Sequence, residues 1–102
     1  MSKPLSKDAR QRADAKDAVK MAAEFVKAAR ISAGKSQMEL AKAIGSAQNE
    51  IWRVERGDME RGPTVEFLGR IARACGGELR LTMERPRHGG SPGQLFRVLD
   101  RG

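Results

Sequence analysis

Apolar residues recur at helical spacing in four stretches of this chain and then switch to alternation. Ala18, Met21, Ala22, Phe25, Val26 and Ala29 keep a period near 3.6 residues, which predicts a core helix ending at about Ser32. The preceding stretch, Lys7 to Lys16, is almost all polar or small; it reads as a separate helix, mobile or stabilised by a partner. Leu40, Ala41 and Ile44 mark a second buried stripe, and Ile51 and Val54 a third. Val65, Leu68, Ile71, Ala72 and Cys75 mark a fourth helix. From Leu79 to Met83 apolar and polar residues alternate, which predicts a strand over 79–84 with Leu79, Leu81 and Met83 on one face.

Punctuation agrees with this pattern. Ser36 followed by Glu39 is a capping box, and Gly45 ends the helix that it opens. Gly57 to Pro63 reads as a loop, Thr64 as the cap of the fourth helix, and Gly76-Gly77 as its close. Arg85 to Gly93 is a Pro- and Gly-rich loop, and Gln94 to Leu99 fits a second strand. A lone strand is not stable, so strand 79–84 requires either a hairpin with 94–99 or a sheet shared with a second copy.

The third helix, Ala47 to Arg56, carries the chemistry. With Ile51 and Val54 turned inward, Gln48, Asn49, Trp52 and Arg53 share the outward face. Amide and guanidinium groups on a short supported helix suit the major groove of DNA. Charge points the same way. The 102 residues carry 20 Lys plus Arg against 13 acids, a formal +7, and such a balance favours polyanions.

Arg30 to Met83 resembles the Cro/phage-repressor (XRE) family of helix-turn-helix proteins, through Gln37, Glu39-Leu40-Ala41, Gly45 and Glu55-Arg56-Gly57. The resemblance implies a mainly α fold, a repressor-like bundle of four to five helices with a short C-terminal β-strand or hairpin. It implies that Ala47, Gln48, Asn49, Trp52 and Arg53 face base edges. Ser36, Gln37, Arg56 and Arg61 would meet phosphates, and Arg30 and Glu55 would form an ion pair between the first and third helices. There are departures: Ala47 stands where a hydroxyl cap is common, which leaves Ser46 to cap. Trp52 stands where a small or polar residue is usual, and contact with DNA, contact with a second subunit, or folding over Arg53 or Arg56 all remain open.

The tail departs as well, turning to strand where typical phage repressors continue into a fifth helix. A long leading helix followed by helix-turn-helix and a Gly-Gly-Glu-Leu strand is similar to the HigA and HipB kind of antitoxin. The expected organisation is a helical extension over 1–20, a DNA-binding domain over 21–77, and a strand and tail over 78–102 with Leu79, Leu81 and Met83 as dimer-strand residues. The expected function is sequence-specific transcriptional repression as a homodimer on double-stranded DNA. The alternatives are an antitoxin that sequesters a small protein toxin, and a sequence-tolerant binder acting through charge alone.

Other chemistry finds little support. The single cysteine, Cys75, sits on an apolar stripe, and the single histidine, His88, has no ligand or triad companions at useful spacing. No enzyme, cofactor or metal site is expected. No apolar run approaches the roughly 20 residues that span a bilayer, so no membrane partner is expected, and the expected location is the bacterial or phage-infected cytoplasm at the nucleoid.

Overall fold

Ser6 opens the first helix by accepting the backbone N–H of Ala9 at 3.1 Å. In this computed structural model, which describes residues 6–85 and the backbone of 96–100, the helix then runs unbroken as α1, Lys7–Ser32. The expected division near residue 20 therefore falls inside one helix. Its first half holds good helix formers and a proper cap, so the backbone continues where the apolar pattern stops. Four more elements follow as α2 (Gln37–Ile44), α3 (Gln48–Arg56), α4 (Val65–Ala74) and β1 (Gly77–Leu81), and β2 (Phe96–Asp100) ends the order. The expected loose end at Met1 to Pro4, and His88 with most of its loop, lie outside the described residues.

The capping box at α2 is complete: Ser36 Oγ accepts from Glu39 N at 3.0 Å, and Glu39 Oε1 accepts from Ser36 N at 2.8 Å. Those hydrogen bonds hold the Glu39 carboxyl below the ordinary glutamate value. Gly45 ends α2 at φ 67, a left-handed conformation that a Cβ would strain. Ser46 N then reaches Ala41 O at 2.8 Å, closing the turn. Thr64 caps α4 through Phe67 N at 3.1 Å.

Four helices and a β-hairpin pack around one core in which Leu40, Ile51, Ile71, Val26 and Val54 are fully buried. α1 lies across α3 and α4, α2 contacts α3 and α4, and the hairpin is joined to the bundle through α4 and α1. β1 and β2 are antiparallel, with Gly77 opposite Asp100 and Leu81 opposite Phe96.

Some expectations need correction. On α1 the buried residue beside Ala22 is Val19, while Ala18 and Met21 are half-buried. Val65 is the first residue of α4 and is 58% exposed, because its side chain lies beyond the edge of the core. Cys75 caps the end of α4, half-buried. The strand begins at Gly77 and ends at Leu81, so Met83 lies beyond it, 85% exposed. Only Leu79 of the three expected dimer-strand residues packs against the core; Leu81 is exposed.

Candidate nucleic-acid interface

Two helices meeting at Gly45 define the candidate interface. Ile51 and Val54 bury one side of α3, so helical geometry turns Gln48, Asn49, Trp52, Arg53 and Arg56 outward. All five are exposed. Ala47 is the N-cap, one residue before the helix, and makes no side-chain capping bond. Ser46 does not cap in its place; its hydroxyl bonds the Glu50 carboxylate. The helix therefore starts at Gln48.

The cations at the end of α3 are held. Gly57 turns left-handed at φ 74 and lets Asp58 N bond Arg53 O at 3.0 Å. Arg53 Nη2 donates to the carbonyl of Asp58 at 3.3 Å. The Arg56 guanidinium lies over the Trp52 ring, 4.7 Å from its centroid, a distance at which a cation is attracted to the face of an indole.

A second cluster ties three helices together below this surface. Glu55 is only 5% exposed and Arg30 17%. Arg30 Nε donates to Glu55 Oε2 at 2.6 Å and Nη2 to Oε1 at 3.0 Å, a two-point fork. Arg30 Nη1 donates to the Lys35 carbonyl at 2.9 Å. The bond to Glu55 raises the Arg30 guanidinium above its usual range, against the lowering effect of burial. Gln37, the first residue of α2, donates Nε2 to Glu55 Oε1 at 3.3 Å. Its amide is thus directed at a carboxylate inside the protein, while Ser36 is engaged in the capping box.

Arg61 sits apart, in the loop after α3. It lines an open groove together with Glu60 of the same loop and with Asp8, Arg12, Asp14 and Lys16 of α1. At the floor of this contact Gly62 approaches Ala18 so closely that a Cβ on Gly62 would lie 3.0 Å from the Ala18 Cβ.

Two participants escaped sequence reasoning. Lys35 contributes through its backbone carbonyl, which carries no side-chain signature. Arg70 of α4 bonds the carbonyl of Ile44, the last residue of α2, across 26 positions; no local pattern announces such a partner. Elsewhere the chemistry is quiet. Burial pushes the Cys75 thiol up, with Lys35 and Arg30 opposing it, which disfavours a reactive thiolate. Among the described residues, no group of three or more His, Cys, Asp or Glu side chains is placed to hold a metal, and no helix is long and apolar enough to cross a membrane.

A short, polar-faced helix held across a second helix by a glycine turn is the architecture of a DNA-binding regulator. A helix-turn-helix family model matches residues 26–81 of the 102, and the chain belongs to that family, the XRE or Cro/phage-repressor helix-turn-helix proteins. No curated protein and no solved structure matches it.

Proposed function

We propose that the protein is a transcriptional repressor that binds a near-palindromic operator as a homodimer, its own promoter included. The observation that carries this is the outward face of α3, where Gln48, Asn49 and Arg53 stand exposed on a helix anchored by a fully buried Ile51. Asn and Gln pair with adenine N6 and N7, and Arg with guanine O6 and N7. The Arg53 bond to Asp58 is long and exposed, so a guanine edge replaces it at small cost. Arg56 and Arg61 serve phosphates, and the Gln37–Met38 start of α2 presents backbone N–H groups to another.

Binding to the protein's own promoter and to a scrambled duplex of equal length, at about physiological salt, tests the reading. A preference of about 10³-fold supports it, and equal weak binding to both overturns it. Arg53→Ala is expected to cost about 1–3 kcal/mol on the operator and relax preference at one base pair, whereas Arg61→Ala weakens all sequences alike. Equal losses for Arg53→Ala on operator and random DNA would remove it from base reading.

The dimer is proposed through β1. Among the described residues the sheet has two strands, so the edge of β1 away from β2 has no further strand. Antiparallel pairing of that edge about a two-fold axis at Leu79 sets Glu78 opposite the partner subunit's Arg80, and Arg80 opposite the partner's Glu78. Glu78 and Arg80 are both exposed, and opposite charges at facing positions stabilise a strand pair. Within the hairpin, by contrast, Arg80 stands opposite Arg97. In sedimentation experiments Glu78→Arg and Arg80→Glu should each weaken the dimer about tenfold, and the double swap should restore it. A double swap no better than the singles would sink this register. Two-fold symmetry then places half-site centres one turn of DNA, roughly 34 Å, apart.

An antitoxin role is the second reading, supported by the strand that follows α4 directly through Gly76. Capture of the product of a small adjacent gene would favour it, and free toxicity of that product in the presence of this protein would exclude it.

A further inference from the structure

We propose that Trp52 is a specificity-determining residue that reads the C5-methyl group of a pyrimidine in the major groove. This rests on α3 being the recognition helix.

Trp52 falls four residues after Gln48 and four before Arg56, so it stands in the middle of the outward stripe. It is 41% exposed on a face whose other members are amides and guanidinium groups. The Arg56 guanidinium covers one face of the ring at 4.7 Å, which leaves the exposure on the remaining face and edge. The pairing also restrains the indole, so little side-chain freedom remains to be lost on binding.

The surface that such a ring meets is specific. Base edges in the major groove present hydrogen-bond donors and acceptors and one apolar group, the methyl on C5 of thymine. Cytosine carries the same group at the same position when methylated. An indole offers one N–H donor and no acceptor; the rest of its surface is apolar and gains only by covering apolar surface. Gln48 and Arg53, on either side, engage the polar edges of the neighbouring pairs, and Trp52 fills the place between them where a methyl projects.

The test begins with site selection from a random duplex library using the full-length protein. Each thymine of the selected site is then replaced singly by deoxyuridine, which deletes the methyl and leaves every hydrogen-bonding group in place. Wild type should lose about fourfold in affinity at one position per half-site, the worth of one buried methyl. Trp52→Ala should bind the thymine site more weakly and no longer distinguish uridine from thymine there. Cytosine at that position, with and without its C5-methyl, identifies the source: a gain on methylation means that methylated DNA is read too, and no gain confines the contact to thymine.

A selected site at which wild type is indifferent to every uridine overturns this inference and leaves the recognition helix intact. Retention of the thymine preference by Trp52→Ala also overturns it, and would place the indole against sugar, phosphate or a second subunit. Failure to select any site overturns the recognition-helix reading, and this inference with it.

Discussion

Glu55→Ala should lower the free energy of unfolding by about 3 kcal/mol, the lower end of the range for breaking a buried pair, because this pair is only part-buried. Three donors converge on this carboxylate: Arg30 Nε, Arg30 Nη2 and Gln37 Nε2. Removing it leaves a guanidinium that is 17% exposed facing an empty space on α3. The charge cannot be shed, since the guanidinium stays protonated at any pH the fold survives. For a domain of this length the loss corresponds to a fall in Tm of roughly 10–20 °C. Glu55→Gln should fall between, because its amide oxygen still accepts from Arg30 without the charge. Joint replacement of Arg30 and Glu55 by leucine should recover much of the loss, because no unpaired charge then remains. A Glu55→Ala protein that melts within 2 °C of wild type would show that the fork contributes nothing to the fold. DNA binding gives a second readout: without Glu55 the Gln37 amide has no internal partner, and affinity for all sequences should change together.

Ile51→Ala should be at least as damaging. Ile51 is fully buried and lies on the inner side of the helix whose outer side faces solvent. Truncation removes three carbons and leaves a cavity among Leu40, Val54 and their neighbours, a change that costs about 2–5 kcal/mol. Ile51→Val, which removes one carbon, should cost about 1 kcal/mol. Urea unfolding midpoints for the pair, at unchanged m-value, provide the comparison. A loss under 1 kcal/mol for Ile51→Ala would mean that α3 is seated by other residues.

Much of this arrangement could be read from the chain because its signals are local. Ser36 and Glu39 lie three residues apart, and their reciprocal bonds follow from that spacing. Gly45 and Gly57 stand where left-handed residues are required. Ile51 and Val54 define the inner face of α3 without help from elsewhere. Three elements depart from that local reading. Val65 has the right spacing for the α4 stripe, but as the first residue of the helix it overhangs the core, and periodicity carries no information about where a core ends. The polar first half of α1 looked like a separate element because the hydrophobic pattern lapses there, although helix continuity depends on propensity and on the Ser6 cap. β1 begins two residues earlier and ends three residues earlier than the expected strand, because its limits follow from pairing with β2. Within the interface, the outward face of α3 was legible. That Gln37 bonds Glu55, 18 positions away, was not, nor was the stacking of Arg56 on Trp52 more than one of several readings.

The bond from Arg70 to the Ile44 carbonyl bears on how the protein is made. Synthesis runs from the N-terminus, so α2 and α3 leave the ribosome before the residue that finishes the end of α2 has been added. Until α4 docks, that carbonyl has only water, and Leu40 and Ile44 lack the neighbours that Leu68, Ile71 and Ala72 supply. A nascent chain stopped at Thr64 therefore holds the sequence of α2 and α3 without the α4 residues that complete their packing. The seat of α2 and α3 is thus completed from the C-terminal side, by an element that is made after them.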